Sequence, residues 1–155
     1  MREIANIAFE VNTFPEPKLR PRFARRGRKV ITYTPKKTKA FEEDVRGAFA
    51  GMKDYVPCEN EDVAVKIKLL FFMQAPKSMP KYKRIQANEG VYRPLHKPDI
   101  DNLIKAVMDS LNGQAYHDDR QVASIVADKF YTTERPKITV ILHYYENGEP
   151  RNSSN

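Results

Sequence analysis

Five aspartates stand close together in this chain of 155 residues, between residues 99 and 119. Carboxylates that come near one another repel, and they raise each other's pKa unless a cation lies between them. Mg²⁺ suits such a cluster, because it takes oxygen ligands and typically binds a few carboxylates together with water and phosphate oxygens. We therefore predict a Mg²⁺ site, and the sequence leaves open whether Mn²⁺ substitutes. The five residues are Asp99, Asp101, Asp109, Asp118 and Asp119.

The element that must position the first of these carboxylates is a helix predicted over residues 101–111. Apolar residues at 100, 103, 104, 107, 108 and 111 recur at the spacing of one helical face. Asp99 lies at the start of this helix, and Asp101 and Lys105 lie one turn apart on its polar side. An aspartate N-cap and an Asp–Lys pair four residues apart also occur on ordinary solvated helices. The metal-site prediction therefore depends on the Asp-Asp pair that follows after a short turn.

The charge of the chain indicates a polyanionic partner, because the net charge is +7 and the isoelectric point is near 9.5. Between Pro15 and Lys39 there are ten Lys and Arg residues against one acid, Glu16. A basic surface around an acidic pocket is typical of a metal-dependent nuclease, since phosphates are attracted to the surface and the metal offsets repulsion at the cleavage point. A purely structural DNA-binding protein would gain nothing from the acidic cluster.

We predict that nine basic side chains contact DNA. Two of them stand in the first turn of a helix predicted to open at Thr34-Pro35, where cations oppose the helix dipole unless the helix end binds phosphate. The alternative for the other basic stretches is solvated charge, and for residues 13–29 a disordered arm, although Phe14, Leu19 and Phe23 favour partial docking. The nine are Lys18, Arg20, Arg22, Lys36, Lys37, Lys77, Lys81, Arg93 and Lys97.

The remaining pattern predicts four main strands and a short helix after Ser78. The strands span residues 4–12, 63–73, 121–131 and 137–145, and residues 30–33 are a further short strand that closes a wide hairpin. The last two main strands are predicted to form a hairpin through a polar turn at 133–136. Their inward residues include Val122, Ile125 and Val126.

A single domain is expected over residues 1–146, followed by a polar, disordered tail over residues 147–155. One cysteine, Cys58, excludes an internal disulfide framework and suits a reducing cytosol. The sequence contains no apolar run of membrane-spanning length and no signal-peptide pattern. We therefore expect a soluble cytoplasmic protein with no membrane partner.

The motif KPDIDNLIKAVMDSLNG, followed by DDRQV and Lys129, resembles the signature of the RusA family of Holliday junction resolvases. The stretches KLRPRF, TPKKTKAFEEDV and APKSMPK are similar to other landmarks of that family and occur in the same order. The resemblance extends from about Pro17 to Leu142. Pro98 stands where some members of the family have a basic residue, so one phosphate contact is missing or moved.

The resemblance implies roles for individual residues. Asp99, Asp101 and Asp119 would bind Mg²⁺, with Asp118 as the alternate ligand, and Lys105 would be catalytic. Asn102 also matches the motif, and we expect it to contact DNA. The family further implies a compact α+β domain, with a mixed β-sheet packed with helices, and a homodimer.

The function that follows is Mg²⁺-dependent phosphodiester hydrolysis, which leaves a 5′-phosphate and a 3′-hydroxyl. Paired symmetric nicks would resolve a four-way junction in DNA recombination and repair, and a two-fold dimer would present two sites to its two equivalent strands. One alternative is a nuclease of the same chemistry that acts on flaps, forks or branched phage intermediates. The other is a DNA-binding module without catalysis.

Overall fold

The chain forms six strands and three α-helices in the described part of the computed structural model, which covers residues 2–52 and 58–149. Residues 150–155, which form most of the predicted tail, lie outside the described residues. A short 3₁₀ turn, Asp119–Gln121, precedes the fifth strand. In chain order the elements are β1 (Glu3–Val11), β2 (Arg22–Arg26), β3 (Lys29–Tyr33), α1 (Lys36–Ala50), β4 (Val63–Gln74), α2 (Lys81–Asn88), α3 (Ile100–Leu111), β5 (Val122–Thr132) and β6 (Lys137–Glu146).

Four of the strands form one mixed sheet in the order β1-β6-β4-β5. β6 is antiparallel to both β1 and β4, whereas β4 and β5 are parallel. A parallel neighbour needs a long crossover, and the segment 75–121, which contains α2 and α3, provides it. The predicted compact α+β fold with a mixed sheet is confirmed.

The predicted hairpin of the last two strands is wrong. β6 lies between β1 and β4, so β5 does not pair with β6 and stands at the edge of the sheet beside β4. The predicted burial of Ile125 and Val126 is also wrong, because these side chains are 42% and 41% exposed, and Val122 is half-buried. Sequence alternation identifies a strand, but it does not reveal which neighbours cover that strand.

The hydrophobic core lies between one face of the sheet and the helices α1 and α3. Alternate residues of β4 from Val63 to Phe71 are at most 3% exposed, as their period-two pattern predicts. Leu103 and Val107 of α3 join the same core, together with Val45 of α1. The apolar stripe of α3 therefore fixes this helix on the sheet and leaves its polar side in solvent.

The basic stretch after β1 differs from the irregular loop that its composition predicts. Residues 13–21 are irregular, but β2 and β3 form a tight antiparallel hairpin, with Arg26 opposite Lys29. Gly27 opens the two-residue turn with φ of +63°, a conformation that costs glycine little. The five residues of β2 therefore belong to an ordered strand.

We expect Leu103→Ala to lower the free energy of unfolding by about 2–5 kcal/mol, because it leaves a cavity beneath α3. Leu95→Ala makes the same chemical change at a side chain that is 93% exposed, so the shift there should stay within about 0.5 kcal/mol. Urea denaturation measures both. Equal effects of the two substitutions would contradict the packing of α3.

Candidate active site

Asp99 and Asp101 open α3 with side chains that are exposed to solvent. Asp99 occupies the N-cap position, but its carboxylate makes no capping hydrogen bond; its backbone carbonyl accepts from the Leu103 amide at 3.2 Å. Within the described residues, the Asp101 carboxylate accepts only from the amide of its neighbour Asn102, at 3.0 Å. Helix capping therefore does not account for the Asp99 carboxylate, which is free to bind a ligand.

These two residues line an open groove of about 550 Å³, together with Asp128 and Lys129 of β5. The Lys129 ammonium donates to the carbonyl oxygens of His96 and Pro98, both at 2.8 Å. Lys129, which belongs to the sequence motif, thus ties the segment before Asp99 to β5. Its contacts assign it a structural role beside the carboxylates.

Asp128 is a third carboxylate in this groove that sequence reasoning missed. Its partner is Arg93, whose guanidinium donates to the Asp128 carboxylate at 3.3 Å and to the Lys129 carbonyl at 3.2 Å. The same guanidinium lies 4.0 Å from the centre of the Phe130 ring. The available signal was an acid in the middle of a predicted strand, directly before the motif lysine. Arg93, predicted to contact DNA, is held here by protein groups.

A second group of carboxylates lies near the other end of α3. Asp118 accepts from the Arg120 amide at 2.9 Å, and its own amide donates to the buried Gln121 side chain at 3.1 Å. The Arg120 amide, more than any other group, lowers the pKa of Asp118. A hydrogen bond that the protonated Asp119 carboxyl donates to Asp118 raises the pKa of Asp119, and burial and the charges of Asp118 and Asp109 act in the same direction. Asp118 is thus occupied as a turn cap, and Asp119 is the carboxylate of the pair that a cation would stabilise most.

The two carboxylate groups are separated along α3. Asp101 and Asp109 are eight residues apart in one helix, which corresponds to about 12 Å along its axis. Asp109 lies near the C-terminal end of α3, and its charge contributes to the raised pKa of Asp119. Within residues 2–52 and 58–149, no three acidic, histidine or cysteine side chains converge closely enough to hold a metal ion. The predicted ligands Asp99, Asp101 and Asp119 have the chemistry that Mg²⁺ requires, but one chain divides them between two places.

Lys105 stands between the two groups on the exposed side of α3. Its ammonium forms no ion pair with any carboxylate in the described part of the chain, including Asp101 one turn earlier. A cation without a protein partner is available to a phosphate. The catalytic role stays a prediction, but the placement allows it.

Lys18, another predicted DNA contact, is engaged within the protein. Its ammonium lies 2.9 Å from the Glu42 carboxylate and 3.3 Å from that of Asp109, and its amide donates to the Asn102 carbonyl at 3.3 Å. Burial lowers the pKa of Lys18, but the hydrogen bonds and charges of the two carboxylates outweigh it, so the net shift is upward. Lys18 therefore joins the irregular segment 13–21 to α1 and α3.

The other predicted DNA contacts are distributed over the surface. Arg22, Lys36 and Lys37 line a pocket of about 360 Å³ at the start of α1. A neighbouring groove of about 470 Å³ is lined by Lys97 and Asn102 together with Asp99. The remaining three, Arg20, Lys77 and Lys81, are exposed.

Sequence comparisons identify the family to which the chain belongs. A family profile described as Endodeoxyribonuclease RusA matches residues 13–143. The chain belongs to the RusA family. It is also similar to the uncharacterized protein YqaN of Bacillus subtilis (strain 168), with 35% identity over 136 residues that cover 88% of this chain and 94% of that protein.

Membership of the RusA family makes the chain an endodeoxyribonuclease, a hydrolase of DNA phosphodiester bonds. The exposed carboxylates and the basic surface are consistent with that chemistry. In the described part of this RusA-family chain, no helix is both long and apolar enough to span a membrane.

We expect Lys18→Met to lower the free energy of unfolding by about 1 kcal/mol, because it leaves Glu42 and Asp109 close together without their shared cation. Lys37→Met, at an exposed position of α1, should have almost no effect. Urea denaturation at low and high salt measures both, and salt should reduce the Lys18 effect. No difference between the two variants would show that the Lys18 contacts do not stabilise the fold.

Proposed function

We propose that this endonuclease resolves Holliday junctions by paired symmetric nicks in a Mg²⁺-dependent reaction, as a homodimer acting in DNA recombination and repair. The observation that carries the proposal is the pair of exposed carboxylates, Asp99 and Asp101, at the start of α3. Among the described residues neither carboxylate forms an ion pair or caps a helix, and both lie in an open groove on a strongly basic protein. Such a groove admits a DNA backbone, whose phosphates bring the negative charge that the basic surface attracts.

The roles of the site residues follow from their chemistry. Asp99, Asp101 and Asp119 would hold Mg²⁺, and Mn²⁺ offers the same preference for oxygen ligands. When bound, the ion would lower the pKa of a coordinated water and withdraw charge from the scissile phosphate. Lys105 would place its ammonium against the phosphoryl oxygens, where negative charge develops in the transition state. The products would carry a 5′-phosphate and a 3′-hydroxyl.

Two observations support a dimer. β5 stands at an edge of the sheet with Ile125 and Val126 partly exposed, and an edge strand with exposed apolar side chains offers a surface on which another chain can pair or pack. The predicted ligands are also divided between the two ends of α3, so a single chain does not gather them. In a two-fold dimer, Asp99 and Asp101 of one copy would meet Asp119 of the other, which would generate two equivalent sites.

Asp101→Asn should reduce cleavage of a labelled four-way junction at least about a hundredfold, because even groups that only support metal ligands contribute about 10- to 100-fold. Binding should persist or tighten, since the substitution removes a repulsive charge. Asp44→Asn, at an exposed position of α1, is the matched control and should cut normally. Denaturing gels with Mg²⁺ or EDTA report both variants beside the unaltered chain.

Matched duplex and fork substrates separate the rival functions in the same gels. Nicks restricted to the junction support resolution, whereas equal cutting of forks would show a nuclease for branched DNA in general. Binding without any cutting by the unaltered chain would leave only a DNA-binding module.

Mixed dimers test whether the site is shared between copies. Asp101→Asn and Asp119→Asn chains, each inactive alone, should regain activity when they are unfolded and refolded together. Half of the dimers would be mixed, and each mixed dimer would contain one intact site, so about a quarter of the sites should cut. Nicking of a junction labelled on one strand measures this fraction.

The control mixture combines Asp101→Asn with Asp99→Asn, which affect the same carboxylate group and should stay inactive. No recovery in the first mixture would show that each site lies within one chain. Asp128 would then be the candidate third ligand, and Asp128→Asn would be expected to raise the Mg²⁺ concentration that cleavage requires.

A further inference from the structure

The hairpin formed by β2 and β3 stands apart from the body of the protein. Its two strands pair with each other in a separate sheet and make no substantial contact with any other described helix or strand. An isolated two-stranded hairpin is marginally stable in water, and packing against the protein core does not stabilise this one. A binding partner would supply the contacts that the body of the protein does not.

The register of the hairpin gathers its most exposed apolar residues on one face. Phe23 lies opposite Thr32, and Arg25 lies opposite Val30, so these four side chains share a face. Phe23 is 73% exposed and Val30 is 66% exposed. An aromatic ring and an aliphatic side chain are therefore diagonal neighbours on one solvent-exposed face, and Thr32 and Arg25 complete that face.

The charge of the hairpin restricts what can cover this face. Five of the twelve residues from Arg22 to Tyr33 are cationic, and the sequence contains no acid between Glu16 and Glu42. The hairpin of a second copy would be repelled by like charge, whereas a nucleic acid backbone would be attracted. The five cations are Arg22, Arg25, Arg26, Arg28 and Lys29.

The exposed Phe23 ring further restricts which DNA structure can be the partner. In a continuous duplex the faces of the bases are covered by stacking, so a phenylalanine gains nothing there unless it forces a step apart. At a branch point the stack is interrupted, and the base pairs beside the crossover offer a face at low cost. Aromatic side chains bind such exposed base faces strongly and with little dependence on sequence.

We propose that the β2–β3 hairpin enters the branch point of the DNA, where Phe23 stacks on a base pair exposed at the crossover. Val30 covers the edge of the same pair, and the five cations contact the surrounding phosphates. Selectivity for branched DNA would then arise in a part of the chain that is separate from the carboxylates. This inference rests on the proposed function, because it takes branched DNA as the substrate.

The test compares binding of the full-length chain to a four-way junction and to a linear duplex with the same arm sequence, in EDTA so that no cutting occurs. Phe23→Ala should weaken junction binding about tenfold and leave duplex binding unchanged. Phe23→Tyr keeps an aromatic face and should preserve selectivity, whereas Phe23→Leu keeps an apolar side chain without that face and should not. Circular dichroism verifies that each variant is folded.

A paired substitution in the same hairpin serves as the matched control. Arg25→Ala combined with Arg28→Ala removes phosphate contacts, so it should weaken junction and duplex binding equally and reduce the salt dependence of both. A fluorescent base analogue beside the crossover should respond to the unaltered chain and not to Phe23→Ala.

The inference is overturned if Phe23→Ala weakens both DNAs equally or neither of them. The outcome is independent of catalysis, since nicking is not measured. A chain that binds junctions through Phe23 but never cuts would contradict the proposed function and leave this inference standing. A chain that cuts junctions with unchanged selectivity after Phe23→Ala would do the reverse.

Discussion

Packing of α3 against the sheet determines where Asp99, Asp101 and Asp109 lie. Leu103, Val107 and Leu111 are buried in the core, so the helix cannot rotate without exposing them. That constraint sends Asp101 and Lys105 outward on the opposite side and places the two carboxylate groups at the two ends. The chemistry is therefore positioned by apolar contacts, and the acidic residues themselves contribute little to holding the helix.

The acidic groups differ in how the protein balances their charge. Arg93 pairs with Asp128 in the first group, and Lys18 pairs with Asp109 in the second. Asp99, Asp101 and Asp119 have no such cation among the described residues. In each carboxylate group, one member therefore pairs with a cation of the protein, and at least one other is available to an external cation.

The sequence predicted the buried faces of those elements in which apolar residues recur with the period of a strand or a helix. The period of β4 and the apolar stripe of α3 gave their faces correctly, because each buries one side against the core. Pairing was different: whether β5 lies beside β4 or β6 depends on the crossover, which local pattern does not encode, and the hairpin prediction failed for that reason. The basic stretch containing β2 was read from composition as irregular, although the Gly27 turn indicates a hairpin.

Candidate site residues were identified or missed for the same reason, namely whether they depend on local pattern or on contacts between distant segments. The Asp-rich motif identified Asp99, Asp101 and Asp119 as candidates, because residue type and spacing are visible in the sequence. Contacts between distant segments are not visible in this way, so Asp128 was missed. The partners of Lys18 were missed for the same reason.

The parallel pairing of β4 with β5 also sets the order in which the chain can fold. Val65 pairs with Val122 and Gln74 with Thr132, so every contact between these strands spans more than fifty residues. The entropy of closing so long a loop delays such contacts relative to local ones, such as those within the β2–β3 hairpin. Lys129 reaches the segment before Asp99 only once β5 has docked. We therefore expect the groove that holds the first carboxylates to form late in folding, after the local elements around it.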